Sequence, residues 1–180
     1  MAEIPFAEKK LREAEFFFGH LQRAAEGVLL ASEQFEFYFN AFVSAGRSVG
    51  FVLKKEQTAL YESWYGGWIA AIPGGEQLMK FMNFERVGVL KQEGHGSHRL
   101  ETEMVNMYDY ALRTAPLRYG RDRRAERGAM TIQPHVYDQQ ATIGVQSYSF
   151  EYNGTRLPVL DLAREYLELL RRQVSDFKAL

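Results

Sequence analysis

Between Ser32 and Lys55 the apolar residues Phe35, Phe39, Phe42, Gly46, Val49 and Leu53 recur at steps of four, three, four, three and four. That spacing keeps them on one face of a helix. Tyr38, Ala45 and Val52 widen the stripe enough to pack against two neighbouring helices. Glu36, Asn40, Arg47 and Lys54 fall on the other side. A helix with this pattern belongs in the middle of a bundle.

The flanking segments follow the same period. Pro5 suits a first helical turn, where its missing N–H is not needed, and a first helix runs from there to about Glu26 before Gly27. A third helix is expected over residues 57–72, weakened by Gly66 and Gly67 and broken by Pro73-Gly74-Gly75. A fourth spans Glu76 to Gln92, ending at Gly94 and Gly96. Leu100, Met104, Tyr108 and Ala111 share a helical face, so the pattern predicts a fifth helix over Arg99–Arg113, capped by Ser97 and ended by Pro116. Leu160, Ala163, Leu167, Leu170, Val174 and Phe177 mark a last helix over 158–178, with Arg164, Glu168 and Arg172 opposite.

Before that last helix the period changes to two. "MTIQPHVY" (130–137) and "ATIGVQSYSFEY" (141–152) alternate as strands do. In the second run the apolar parity shifts from odd (Ile143, Val145) to even (Tyr148, Phe150, Tyr152), which a bulge or bend near Ser147 would reconcile. Asn153-Gly154 is a strong hairpin signal. The expectation is a mainly α, up-and-down bundle of five to six helices, with a small antiparallel β-hairpin insert before the C-terminal helix. It reads as one domain over 1–180: bundle 5–115, charged loop and β insert 116–157, final helix 158–178.

Composition changes this picture little. The chain has 180 residues, 46% of them hydrophobic and 25% charged, which is ordinary for a globular protein. Aromatics reach 14%, with 13 Phe and 10 Tyr, so the core should be bulky. The net charge of −1 supplies no whole-molecule attraction to nucleic acid or anionic lipid. The lack of cysteine excludes disulfides, thiol nucleophiles and cysteine-based zinc sites. With no signal-peptide pattern at the N-terminus and no long apolar run, a cytoplasmic protein without membrane contact is expected.

The segments "EAEFFFGHLQRAAE", "FEFYFNAFVSAGRSVGFVLKKE" and "YESWY", followed by a helix carrying Arg86, resemble the HEPN-like helical bundles. The resemblance implies an up-and-down bundle that dimerises. In many relatives it also implies a toxin-type or defence-type ribonuclease with its active site across the dimer interface. The family motif is an arginine followed by Asn, Asp or His, then a histidine four to six residues on. Here Arg86 is followed by Val87, and Lys91, Gln92 and Glu93 stand where the histidine belongs. The resemblance therefore implies a non-catalytic homodimer that binds a protein partner, nucleotide or RNA. The alternative is a divergent metal-independent ribonuclease using Arg86 with His95 or His98 as cation and base.

Other candidates carry less chemistry. His95 and His98 with Glu101 or Glu103 lack the spacing of a metal site, so no metal or cofactor is expected. Arg47 lies among Ser44, Gly46, Ser48 and Gly50, small residues that permit close helix approach. It should be buried with a carboxylate partner, or, with Asn40 and Glu36, line a ligand cleft. "RYGRDRRAERG" offers Arg121, Arg123 and Arg124 to a phosphate backbone, or reads as a solvated charged loop. Trp64 and Trp68, one turn apart, are core residues in the first instance.

Overall fold

The computed structural model describes residues 2–26, 32–91, 99–106 and 142–180. The chain divides into two compact units, Met1–Arg99 with Tyr148–Leu180, and Leu100–Ser147. The first contains helices α1 (Pro5–Glu26), α2 (Ser32–Glu56), α3 (Thr58–Ala70), α4 (Gly75–Lys91) and α5 (Val159–Lys178). Strands β1 (Arg99–Asn106), β2 (Thr142–Tyr152) and β3 (Thr155–Pro158) form one sheet in the order β1-β2-β3. The fold is mainly helical, with an antiparallel hairpin immediately before the last helix. Among the described residues, no helix is long and apolar enough to cross a membrane.

Polar contacts at the helix ends give the up-and-down arrangement. The first N–H groups of a helix have no partner within it. In α1 those of Phe6 and Ala7 donate to the Glu56 carboxylate at 2.9 and 3.0 Å. That places the end of α2 at the start of α1, with a negative charge where the helix dipole favours one. The Lys178 ammonium pairs with Glu8, so α5 ends where α1 begins. Both α2 and α5 therefore run antiparallel to α1.

The stripe on α2 makes the centre of the core. Phe35, Phe39, Phe42, Val49 and Leu53 are fully buried. Phe42 meets Phe18 of α1 at 5.6 Å and the edge of Tyr166 of α5 at 5.9 Å, centroid to centroid. Each ring moved out of water contributes roughly 1.5–3 kcal/mol. The expected α5 stripe is buried apart from half-buried Leu160, and it is widened by Leu162, Tyr166 and Leu169. Trp68 is buried and stacks on Trp64 at 5.0 Å, while its indole N–H donates to Asp176 at 2.9 Å.

The hairpin turns at Asn153 and Gly154, whose φ values of 52° and 72° are both left-handed. A two-residue turn of this kind matches the twist of paired strands. It sets Tyr152 opposite Thr155 and Phe150 opposite Leu157. Tyr148 and Phe150 are buried and Glu151 exposed, in keeping with even parity, while the small Ser149 between them is buried as well. Phe150 reaches Phe39 at 5.5 Å and Phe81 at 5.1 Å, fastening the hairpin to α2 and α4.

One expected element is corrected. Arg99 begins strand β1, which runs to Asn106, and not a helix to Arg113. Leu100 and Met104 are four apart, a spacing that a helix and an alternating strand both satisfy. Glu101 and Glu103 between them complete a period-two pattern, and Thr102 and Val105 are β-branched residues that favour strands. Residues 107–113, the arginine-rich segment 118–128 and "MTIQPHVY" lie outside the described residues, as do the side chains of the odd-parity half of β2.

Candidate functional site

Arg47 occupies the point where α2 carries its smallest side chains. A Cβ on Gly46 would stand 2.6 Å from Tyr166 Cε1 and 3.0 Å from Leu170 Cδ1. Glycine at this position is what lets α5 approach so closely. Beside this contact lies a cavity of about 10 Å³, lined by Arg47, Tyr61 and Tyr65 of α3, Met79 of α4, and Tyr166 and Gln173 of α5.

Arg47 is half-buried. Its Nε is buried and has no hydrogen-bond partner among the described residues, while its Cζ lies 4.4 Å from the centre of the exposed Phe51 ring. The expected carboxylate partner is not there: among the described residues Arg47 makes no ion pair, and the ring supplies a cation–π contact in its place. Gln173 is 1% exposed, and its Oε1 likewise has no partner among the described residues.

The phenols around Arg47 are held protonated. Burial pushes Tyr61 up to about 12, with Tyr65 adding to the rise and Arg47 and the Gln173 amide opposing it. Burial raises Tyr65 and Tyr166 as well, against the pull of Arg47 on both. The cause is desolvation, which disfavours the phenolate. Arg86, half-buried on α4, acts on Tyr166 in the same direction as Arg47. Two guanidinium groups from two helices thus bear on one phenol. Arg86 also forms no ion pair among the described residues.

The other expected site residues are placed differently. Asn40 is seven residues from Arg47, roughly 10 Å along the helix, and it has a partner of its own. Glu36 lies further still and acts on Tyr148, whose hydroxyl is raised first by burial and then by this carboxylate. The structure therefore separates Glu36 and Asn40 from Arg47. His95, His98, Arg121, Arg123 and Arg124 lie outside the described residues. Among the described residues no group of three His, Asp or Glu side chains is placed to hold a metal ion.

Sequence reasoning passed over Tyr61, Tyr65, Tyr166 and Gln173. One of them carried a signal. Gln173 follows Tyr166 and Leu170 at helical steps on the buried face of α5, so a polar amide interrupts an apolar stripe. Buried amides need partners, and that requirement points to a polar cavity.

A larger concavity, about 400 Å³, lies between the α3–α4 turn, the hairpin tip and α5. Ile72, Leu78 and Leu169 form its apolar part, with Glu165, Glu168 and Arg172 at its polar side. Glu168 and Arg172 are already paired, with Arg171 at 2.6 Å and Asp176 at 3.3 Å.

No protein-family model, curated protein or solved structure matches this chain.

Proposed function

We propose that this protein is a non-catalytic, dimeric bundle of the HEPN-like kind that binds a phosphate group of a nucleotide or of RNA at Arg47 and Arg86. The observation that carries this reading is the pair of half-buried guanidinium groups, neither with a carboxylate partner among the described residues, both acting on Tyr166. Each forfeits part of its hydration at a half-buried position. An oxyanion between them offsets both costs and accepts charge-assisted hydrogen bonds, the strong kind, in the fork geometry that arginine offers.

Phe51 supports the same reading, because an exposed ring against a guanidinium is a surface on which a base can stack. The ribonuclease motif departs from the family pattern at Val87 and at Lys91 to Glu93, which is why binding without cleavage is favoured.

The test is fluorescence anisotropy with a labelled single-stranded RNA and with a labelled nucleotide, at low salt. Saturable binding is expected, weakened about tenfold or more by Arg47→Met and also weakened by Arg86→Met, with the RNA recovered intact. Binding unaffected by either change rejects the site. RNA cleavage abolished by Arg86→Ala rejects the non-catalytic reading and establishes the nuclease.

A further inference from the structure

The cavity beside Arg47 has requirements that protein atoms do not meet. Among the described residues, Arg47 Nε–H is a buried donor without a protein acceptor, and Gln173 Oε1 is a buried acceptor without a protein donor. The residues that carry them, Arg47 and Gln173, line the same small space, together with the hydroxyl-bearing Tyr61, Tyr65 and Tyr166. Buried polar groups are paired in the great majority of proteins, and an orphan calls for an occupant. We infer that one water molecule is bound here, accepting from Arg47 Nε–H and donating to Gln173 Oε1, and so linking α2 to α5.

Size and chemistry both select the occupant. A volume of about 10 Å³ is close to the least that holds a single water, roughly 10–15 Å³. A phosphate or carboxylate is too large for it. A chloride or bromide ion is larger than a water, and it cannot donate a hydrogen bond, so it would leave Gln173 Oε1 unpaired. A water satisfies both orphans, and it still has one donor and one acceptor site to share with the neighbouring phenols. Those phenols stay protonated, since burial raises all three, so each keeps an O–H to offer. Gly50 borders this region from the α2 side: a Cβ there would stand in ordinary contact, 3.5 Å from the Tyr61 hydroxyl and 3.7 Å from Gln173 Nε2.

The inference is independent of phosphate binding, because the water uses the inward Nε edge of Arg47. The guanidinium beyond it lies over Phe51.

A high-resolution crystal structure, from crystals grown in bromide in place of chloride, tests it directly. The expected result is a single density peak within hydrogen-bond distance of Arg47 Nε and Gln173 Oε1, with no anomalous signal. An anomalous peak identifies a halide and overturns the inference, and so does a cavity without density. In solution, water ¹⁷O relaxation dispersion should lose the contribution of one long-lived molecule in Gln173→Met. That variant keeps the length of the side chain but removes the acceptor. An unchanged dispersion in folded Gln173→Met overturns the assignment, and should the variant not fold, the wild-type density decides the matter alone.

Discussion

The two halves of α2 solve opposite problems on one helix face. In the first half, Phe35, Phe39 and Phe42 fill space with rings, and each meets an aromatic partner from the hairpin, α1 or α5. In the second half, Gly46 gives up side-chain volume that Tyr166 and Leu170 of α5 take, and Gly50 leaves space beside Tyr61 and Gln173. The first half is held by apolar burial, which is non-directional. The second brings hydroxyls, an amide and a guanidinium into a space where each polar atom needs a partner. One half therefore supplies stability, and the other supplies a place where chemistry can be held.

If that division is right, the largest loss should come from emptying the first half. Phe39 is fully buried between the hairpin and the helices. Phe39→Ala removes the ring and leaves a cavity, at a cost of about 3–5 kcal/mol. Chemical denaturation should show this as a lower midpoint with little change in slope. A loss below about 1 kcal/mol would mean that the ring is not packed as described.

Filling the second half should cost less, and for a different reason. Gly46→Ala gains roughly 0.5–1 kcal/mol of helix propensity. Against this, the new methyl meets the Tyr166 ring at 2.6 Å, and overpacking of this kind costs about 1–3 kcal/mol. A net destabilisation of about 1–2 kcal/mol is expected by the same measurement. Gly46→Ala combined with Tyr166→Leu should recover part of it, because the clash is with that ring. A stabilised Gly46→Ala would show that α5 does not approach α2 closely, and the contrast between the halves would fail.

The same contrast explains what could be read from the residues alone. The seam on α2 was legible because steps of three and four persist along a 25-residue helix, long enough to exclude strand alternation. The hairpin turn was legible because Asn153-Gly154 tolerates the left-handed backbone that the turn needs. Strand β1 was not, since Leu100 and Met104 fit both periods and only the intervening Glu101 and Glu103 favour alternation. The polar cavity was the least visible feature. Arg47 drew notice through its small neighbours, but its companions come from α3, α4 and α5, and nothing in local spacing records which residues meet across a bundle. Arg47 was also expected to need a carboxylate. Phe51 beneath it, and phenols that stay neutral around it, supply another environment for a half-buried cation.

The smallest effect is the most specific to the second half, and it depends on pH. Burial raises Tyr61 from the ordinary phenol value of 10.0 to about 12. A group that holds its proton more tightly when folded contributes stability that is fully present below pH 10 and is lost as pH rises through about 12. Tyr61 is only half-buried, so solvent screens much of this contribution and its amplitude should fall below that of either substitution above. Stability at alkaline pH depends on the whole chain, so the informative quantity is a difference. The denaturation midpoint of the wild type should fall relative to that of Tyr61→Phe between pH 10 and 12, while below pH 10 the two curves run parallel. Tyr65 and Tyr166 remain in the variant, so part of the alkaline loss should persist there. Parallel curves across the whole range would mean that Tyr61 is solvated, and the second half of α2 would then face water and not a polar cavity.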